Sequence, residues 1–176
     1  MNIFFMGTPE FAVPTLDILN KKYNVIGVFT QPPRPSGRGM KELKSSIQQY
    51  SEKIKLNFYT PNNLKNDKTL KLLVSLNPDL IVVVAYGLLI PEVILKIPSY
   101  GCINGHASLL PKWRGAAPIQ RAIEAGDMKT GCTSMLMEKG LDTGPMMHKK
   151  EILIKMEDDV IDLFKSLSLL TAECLD

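Results

Sequence analysis

Apolar residues recur along the chain in two patterns: short continuous runs, which predict buried strands, and three-to-four-residue spacings, which predict helices. The first run, residues 2–7, leads into Gly-Thr-Pro, which is typical of a buried strand that feeds a helix. We expect that helix to begin at Pro9 or Pro14, because proline suits a first helical position. Leu16 and Leu19 would then face the core.

The same two patterns alternate along the rest of the chain. Residues 80–87 are β-branched and apolar on both faces, which predicts the central strand of a sheet. From residue 160 the apolar positions keep helical spacing to the last residue. Further strands are predicted at residues 24–31, 101–108, 131–138 and 147–154, and further helices at residues 91–97 and 117–126.

Alternation of strands and helices predicts an α/β fold with a Rossmann-like, doubly wound, mostly parallel sheet and helices on both faces. With 176 residues and 45% hydrophobic content, the chain is expected to form one domain, residues 1–176, with a substantial core. Sheets of this kind bind ligands in the crevice beyond the carboxyl ends of their strands. Polar residues that follow a predicted strand are therefore the candidate site residues.

Composition favours a cytoplasmic protein. The longest apolar stretch, residues 80–90, is shorter than the roughly 20 residues of a membrane-spanning helix, and the N-terminus lacks the basic segment of a signal peptide. Three widely spaced cysteines predict buried, reduced thiols rather than a disulfide framework or a zinc site. With two histidines and no partner at ligand spacing, a metal site is not expected.

Asn104 and His106 stand where the strand predicted at residues 101–108 ends. Strand side chains alternate between faces, so these two are expected to project together, with Gly105 on the other face. A neutral imidazole can take a proton from an attacking amine or return one to a leaving nitrogen, and an amide can donate to an oxyanion. The pair suits acyl transfer to nitrogen; the alternative is turn chemistry with a hydrogen-bonded histidine.

A carboxylate that would support the histidine is present in the segment Gly-Leu-Asp-Thr-Gly, residues 140–144. The flanking glycines allow a turn that carries Asp142 to the crevice, where it would orient the histidine or stabilise its charge. Aspartate between glycines is also ordinary turn composition, so both interpretations stay open. A phosphate cradle is not expected, because Met-Gly-Thr-Pro-Glu-Phe matches neither the dinucleotide fingerprint nor a P-loop.

Two basic segments can be interpreted either as contacts for nucleic acid or as solvated surface. Three prolines and two glycines in residues 32–41 predict a mobile surface loop without helix or sheet. Residues 32–46 hold four basic residues and one acidic residue, a net charge of +3 that equals the excess of the whole chain. The basic residues of the loop are Arg34, Arg38, Lys41 and Lys44, and the second cluster contains Lys112, Arg114 and Arg121 beside Trp113.

Several long blocks resemble one family. They are "MGTPEFAVP", "GVFTQPPRPSGRG", "VVVAYGLLIP", "NGHASLLPKWRGAAPIQRAI" and the later "GLDTG". Together they resemble the methionyl-tRNA formyltransferases, within the wider folate-dependent formyltransferase family, and the resemblance runs through essentially the whole chain. The Asn-x-His, the Ser-Leu-Leu-Pro and the later Asp are shared across the wider family, whereas "WRGAAPIQRAI" and "RPSGRG" point to the enzymes that act on tRNA.

The resemblance implies transfer of the formyl group of 10-formyltetrahydrofolate to methionine carried on initiator tRNA, by a monomer that needs no metal. It implies that Asn104 is an oxyanion donor, His106 a proton shuttle, and Asp142 the acid that supports the histidine. It also implies two sets of binding residues. The folate set is Ser108, Leu109, Leu110 and Pro111 with Tyr86, Gly87, Leu88 and Ile90, and the tRNA set is Arg34, Arg38 and Lys41.

Departures from the family pattern leave alternatives. Gly105 stands where relatives carry an apolar residue, so we expect weaker packing and a less rigid Asn104–His106 pair. The family normally continues into a barrel-like domain, so we expect the catalytic domain alone, with weaker tRNA binding. The alternatives are a formyltransferase for a small amine, such as a nucleotide sugar or glycinamide ribonucleotide, and an inactive remnant that binds folate or RNA.

Overall fold

The computed structural model describes residues 1–36 and 41–176. A short 3-10 helix, Glu10–Ala12, precedes the first α-helix. The α-helices of the described residues are α1 (Val13–Lys22), α2 (Ser46–Lys53), α3 (Asp67–Leu76), α4 (Glu92–Leu95), α5 (Pro118–Glu124) and α6 (Val160–Cys174). The strands are β1 (Asn2–Gly7), β2 (Asn24–Phe29), β3 (Arg34–Ser36), β4 (Lys41–Leu43), β5 (Phe58–Tyr59), β6 (Leu80–Val84), β7 (Cys102–His106), β8 (Lys129–Leu136) and β9 (Met146–Leu153).

The main sheet has the strand order β5-β2-β1-β6-β7-β8-β9. Strands from β5 to β7 pair in parallel, whereas β8 pairs antiparallel with β7 and β9 antiparallel with β8. From β1 the chain builds the sheet toward β5 and then crosses to β6 on the other side of β1, so the order reverses between β1 and β6. The fold is therefore the predicted doubly wound, mostly parallel α/β sheet, with β6 at its centre.

Helices cover both faces of the sheet, and β1 shows why its residues are apolar throughout. Ile3 and Phe5 point into one core, which contains residues of α1 and α6. Phe4 and Met6 point into a second core, which contains residues of α3 and α4. A strand buried on both sides needs a continuous apolar run rather than alternation, and β1 has one.

The predicted helices at either end of the chain are present. Pro14 lies at the start of α1, and Leu16 and Leu19 of this helix are buried, as the spacing predicts. The helix predicted from residue 160 is α6, which starts with a capping box formed by Asp159 and Asp162.

The prediction that residues 32–41 form a loop without helix or sheet is wrong, because β3 lies within this range. Strands β3 and β4 form a two-stranded antiparallel ribbon outside the main sheet. The two strands provide hydrogen-bond partners for each other's backbone groups. Pro35 is tolerated because a two-stranded ribbon consists of edge strands, where a missing N–H interrupts no central strand. Arg38 lies outside the described residues, as does the side chain of Lys41.

Residues 46–76 contain three elements that the hydrophobic pattern does not predict: α2, β5 and α3. Both helices have capping side chains, because Ser45 accepts from the backbone N–H of Gln48 at 2.9 Å and Asn66 from that of Thr69 at 2.8 Å. Strand β5 has two residues, too few to show alternation, and is defined by its pairing with β2. Local caps and one tertiary pairing therefore define this part of the fold.

Helix α6 packs over Gly105 of β7. A β-carbon built on Gly105 would lie 2.6 Å from Cδ1 of Leu175 and 2.7 Å from Cγ2 of Thr171. The side chains of α6 and of its capping residue therefore fill the face that Gly105 leaves bare. The expectation of weaker packing at this position is wrong, because the missing side chain is replaced by the helix.

Two expectations from composition concern the cysteines and membrane-spanning helices. Cys102, Cys132 and Cys174 are buried free thiols, as predicted. Among residues 1–36 and 41–176, no helix combines the length and the apolar character needed to cross a membrane.

Candidate active site

A cavity of about 620 Å³ lies at the carboxyl ends of β1, β6 and β7. Its walls include Pro9 beyond β1, residues 85–90 beyond β6, and residues 104–107 at the end of β7. Residues 137–142, between β8 and β9, form a further wall. This is the crevice beside the point where the strand order reverses, as the strand pattern predicts for a ligand site.

Asn104, His106 and Asp142 meet on the wall of this cavity. Nδ1 of His106 lies 3.4 Å from Oδ2 of Asp142, and these two side chains are 8% and 11% exposed. Nδ2 of Asn104 donates to Oδ1 of Asp142 at 3.3 Å. Strand β7 brings the first two residues to one face because they are two positions apart, and the segment after β8 delivers the carboxylate.

Asp142 belongs to the irregular segment that joins β8 to β9. Its φ is 51°, in the left-handed region that aspartate tolerates better than most residues. The backbone N–H of Gly115 donates to Oδ2 of Asp142 at 2.8 Å. With Asn104 on Oδ1 and Gly115 on Oδ2, the carboxylate is held from two sides and faces the histidine.

His106 is held at its other ring nitrogen by the backbone. Nε2 lies 2.8 Å from the carbonyl oxygen of Trp113. Because a carbonyl oxygen can only accept, Nε2 carries a hydrogen, and in the neutral ring the lone pair is on Nδ1, 3.4 Å from Oδ2 of Asp142. Nδ1 is therefore the nitrogen that can take up a proton, and the adjacent carboxylate stabilises the imidazolium that forms.

The loop at residues 85–90 forms a wall of the cavity. Gly87 has a φ of 85°, and the carbonyl of Tyr86 accepts from Oγ1 of Thr8 and Nε2 of Gln31, each at 2.8 Å. Tyr86 is 2% exposed, and burial raises the pKa of its phenol to about 12. The predicted ligand contacts at Tyr86, Gly87, Leu88 and Ile90 all lie on the cavity.

Residues 108–111 do not line the cavity. Oγ of Ser108 donates to the carbonyl of Lys112 at 2.6 Å, and Oγ1 of Thr133 donates to the carbonyl of Ser108 at 2.7 Å. These hydrogen bonds, the bond from the backbone N–H of Leu110 to Thr133, and the buried side chain of Leu110 hold a turn against β8. The described residues that line the cavity therefore do not include the predicted ligand contacts Ser108, Leu109, Leu110 and Pro111.

The ribbon of β3 and β4 is joined to the cavity wall through Gln31. Arg34 is exposed, and its guanidinium donates to Oε1 of Gln31. Nε2 of the same glutamine donates to the carbonyl of Tyr86. Lys44 pairs with Glu52 of α2 at 2.9 Å, so part of the positive charge of this segment is already neutralised.

The second basic cluster has an internal partner that sequence reasoning missed. The ammonium of Lys112 lies 2.6 Å from Oδ1 of Asp127 and 5.2 Å from the centre of the Trp113 ring. Arg114 and Arg121 are exposed. Within the part of the chain that the structure describes, no group of three or more His, Cys, Asp or Glu side chains is arranged to hold a metal ion.

Two contacts at the site carry little signal in the sequence: the N–H of Gly115 and the carbonyl of Trp113. Every residue has these backbone groups, so only the folded loop shows which of them matter. The φ values, 86° at Gly115 and 60° at Trp113, show how tightly the loop turns. Glycine is suited to such a turn, and the "WRG" sequence is the one available hint.

The chain is similar to known proteins over nearly its whole length. Residues 1–175 match the family described as "Formyl transferase". The chain is 53% identical over 159 residues to the methionyl-tRNA formyltransferase of Pseudomonas entomophila, a match that covers 90% of this chain and 51% of that protein. It is 47% identical over 176 residues to the enzyme of the same name from Idiomarina loihiensis, covering 99% of this chain and 56% of that protein. The chain thus spans about half the length of the curated relatives it matches.

A solved structure shares the fold at low sequence identity. The phosphoribosylglycinamide formyltransferase from Streptococcus pneumoniae TIGR4 has a TM-score of 0.80 and is 16% identical, with 98% of this chain and 92% of that chain covered. At this identity the likeness concerns the fold alone. The sequence match over nearly the whole chain is independent of it. The chain therefore belongs to the formyl transferase family.

Proposed function

We propose that this chain transfers the formyl group of 10-formyltetrahydrofolate to the α-amine of methionyl-initiator tRNA, giving formylmethionyl-tRNA. The observation that carries the proposal is the meeting of Asn104, His106 and Asp142 on the wall of a cavity at the carboxyl end of the sheet. The acceptor is inferred from relatives, 53% and 47% identical, that bear the name methionyl-tRNA formyltransferase. Residues 1–176 would be the catalytic domain.

His106 is the proton carrier of the proposed reaction. As the amine nitrogen bonds to the formyl carbon, Nδ1 takes the proton that the nitrogen loses, and the Asp142 carboxylate at 3.4 Å stabilises the imidazolium. His106 returns this proton to N10 when the bond between N10 and the formyl carbon breaks. The products are the formamide and tetrahydrofolate, and His106 is again neutral.

Asn104 supplies the oxyanion contact. Its amide has two hydrogens, and among the described residues its nitrogen makes one hydrogen bond, to Asp142. The second hydrogen can donate to the formyl oxygen, which becomes negatively charged as the amine adds. A fixed donor of this kind stabilises a tetrahedral transition state without reorganisation.

The cavity suits a folate-sized donor. Its volume of about 620 Å³ lies within the range of roughly 300–1,000 Å³ typical of such sites. Phe11, Leu88 and Ile90 give it an apolar lining, and the backbone at residues 85–90 has N–H and C=O groups that can pair with a pterin ring. When bound, the folate supplies the formyl carbon as an N10 amide. We assign Tyr86, Gly87, Leu88 and Ile90 to holding it.

The acceptor end of the tRNA is assigned to the ribbon of β3 and β4. Arg34 is exposed there, and Arg38 and Lys41 belong to the same basic segment. Cations on one surface segment are what a phosphate backbone requires. We further propose a cytoplasmic, monomeric enzyme in which the reaction uses the side chains above and no metal.

The test supplies the purified chain with 10-formyltetrahydrofolate and, separately, methionyl-tRNA, glycinamide ribonucleotide and an amino-sugar nucleotide. Formylated product is measured for the wild type, His106→Ala and His148→Ala. We expect the tRNA to be the best acceptor and His106→Ala to lower kcat by about 10²- to 10⁴-fold. His148, the chain's other histidine, is exposed on β9 and serves as the matched control.

Three results would contradict the proposal in different ways. A wild type that formylates none of the acceptors would support the inactive remnant. Faster reaction with a small amine would replace tRNA as the acceptor. Equal turnover by His106→Ala and the wild type would remove His106 from the chemistry.

A further inference from the structure

One loop, residues 107–117, contacts both His106 and Asp142 through its backbone. The carbonyl of Trp113 accepts from Nε2 of His106 at 2.8 Å, and the N–H of Gly115 donates to Oδ2 of Asp142 at 2.8 Å. The separation of the histidine and the carboxylate therefore depends on where this loop places two backbone groups. Whatever fixes the conformation of Trp113 also fixes the proton on His106.

Trp113 has a backbone conformation that a bulky residue rarely adopts. Its φ of 60° lies in the left-handed region, where such a residue carries backbone strain. Strain of this kind persists where surrounding contacts determine the conformation. For Trp113 the structure shows such a contact on the side chain.

That contact is Asp127, in the turn between α5 and β8. Its Oδ2 accepts from Nε1 of Trp113 at 2.8 Å, and its Oδ1 accepts from Nζ of Lys112 at 2.6 Å. The carboxylate is 12% exposed, and its backbone N–H donates to the carbonyl of Ala122 in α5. Asp127 thus ties two consecutive residues of the loop to the end of a helix.

The charge on Asp127 is secured by the same contacts. The hydrogen bond from Lys112, followed by that from Trp113, holds the pKa of Asp127 below its usual range. The side chain is therefore a constant acceptor at neutral pH, and the indole N–H has a fixed partner.

We propose that Asp127 and Trp113 are positioning residues for His106. Asp127 holds the indole, the indole holds the left-handed Trp113 backbone, and the Trp113 carbonyl keeps the imidazole proton on Nε2, so that Nδ1, 3.4 Å from the Asp142 carboxylate, keeps its lone pair. The expected change in kcat rests on the proposed function, whereas the expected histidine tautomer does not. Neither residue touches the cavity.

The loop has other anchors, so the variants that test this proposal are expected to fold. Oγ1 of Thr133 bonds to the backbone of Ser108 and Leu110, and Nζ of Lys149 donates to the carbonyl of Leu110 at 2.6 Å. These contacts hold the first half of the loop. Asp127 acts on the second half, which carries the two groups that bind His106 and Asp142.

The test compares Trp113→Phe, Asp127→Ala, Asp127→Asn and the double variant Trp113→Phe/Asp127→Ala with the wild type. Glu151→Ala is the matched control, because Glu151 forms a carboxylate–ammonium pair with Lys129 at 2.9 Å on the adjacent strands. Long-range ¹H–¹⁵N NMR reports which nitrogen of each histidine carries the proton, and His148→Gln identifies the signals of His106. Steady-state kinetics give kcat and the KM for the folate donor.

In the wild type and in Glu151→Ala, the neutral ring of His106 is expected to show the Nε2–H form. Trp113→Phe and Asp127→Ala should shift it toward a mixture of both tautomers and lower kcat by about 10- to 100-fold, with KM for folate unchanged within a factor of about two. The double variant should be no worse than either single one, since both break the same link. Asp127→Asn, whose amide oxygen can still accept from the indole, should retain most of the activity.

The wild-type tautomer in Trp113→Phe and Asp127→Ala would overturn the proposal, whatever their activity. So would variants that raise KM and lower kcat together without a change in the histidine signals, which is the result of a merely structural role. A wild type without formyl transfer would contradict the proposed function alone, because the NMR measurement needs no turnover.

Discussion

Gly105 of β7 lies directly beneath Leu175, the residue that caps α6. A β-carbon at position 105 would come within 2.6 Å of Cδ1 of Leu175, with Cγ2 of Thr171 at 2.7 Å. The strand that carries Asn104 and His106 is thus packed on its other face by the last helix of the chain. The absence of a side chain at residue 105 is what allows the helix to come so close.

Gly105→Ala is expected to lower the free energy of unfolding by about 1–3 kcal/mol, because the new methyl group overlaps α6. Strand propensity alone predicts the opposite sign, a gain of about 0.5–1 kcal/mol. Urea unfolding followed by circular dichroism gives the difference.

The control for Gly105→Ala is the same substitution in a Thr171→Ser/Leu175→Ala background, which removes both contacting carbons. The cost there should be smaller. An alanine that stabilises the unaltered chain would mean that the helix is not packed as the structure shows.

Asp142→Asn is expected to lower kcat by about 10²-fold or more while leaving KM for the folate donor nearly unchanged. The amide keeps the size of the side chain but cannot stabilise the imidazolium, and its N–H can occupy the lone pair of Nδ1. Steady-state formylation of methionyl-tRNA measures both constants. Asp67→Asn, in the first turn of α3, is the control. An equal decrease of kcat in the two variants would show that Asp142 has no specific role in the reaction.

Tyr86→Phe is expected to reduce the loss of stability in alkali. Burial raises the pKa of the phenol from 10.0 to about 12, so the unfolded chain ionises first as the pH rises. The corresponding stabilisation is complete below pH 10.0 and is lost between pH 10.0 and about 12. Chemical unfolding across this range should show a shallower fall for the phenylalanine variant.

A matched tyrosine helps to interpret that result. Tyr50 also has its pKa raised to about 12, by burial and then by its hydrogen bond to Asp17. Tyr50→Phe loses that 2.6 Å bond and should destabilise the chain at neutral pH. Among the described residues the hydroxyl of Tyr86 makes no hydrogen bond, so Tyr86→Phe should not destabilise the chain at neutral pH. The same alkaline slope in Tyr86→Phe and wild type would contradict the assignment.

Arg38→Ala is expected to impair turnover with methionyl-tRNA and to leave folate binding intact, because a phosphate contact of the acceptor would be lost. The dependence of log Kd on log salt should fall by about one unit for each such contact removed. Filter binding of tRNA at several salt concentrations measures this slope. Lys21→Ala, in the last turn of α1, which leads into the amino end of β2, should leave tRNA binding unchanged. An unaltered tRNA rate in Arg38→Ala would contradict the assignment of the basic segment, residues 32–46, to the acceptor site.

Much of the fold can be predicted from local patterns. A strand buried on both faces must be apolar at every position, so β1 and β6 are visible as continuous runs, and α6 is visible through its spacing. Strand β5 cannot be predicted from the sequence pattern, because its two residues are too few to show an alternation and become a strand by pairing with β2. The ribbon of β3 and β4 is hidden for a related reason: prolines and glycines predict a loop, and cross-strand pairing overrides them.

The candidate site divides in the same way. Side chains two positions apart on a strand must share a face, so the pairing of Asn104 with His106 follows from the sequence. The glycines around Asp142 predict a turn, and the resemblance to a family predicts the roles of all three residues. The 3.4 Å approach of Asp142 to His106 follows from the packing of the turn after β8, which no local pattern encodes.

Residue type and spacing therefore specify the doubly wound sheet, the crevice at its carboxyl end and the chemical groups placed there, because these depend on periodicity and on the properties of each side chain. Three other features depend on distances between segments of the chain. They are the contacts of the Trp113 and Gly115 backbone groups, the hydrogen bond that anchors the loop to Asp127, and the packing of α6 on Gly105. Such distances are set when the whole core packs, since each close contact is possible only if its neighbours are already in place.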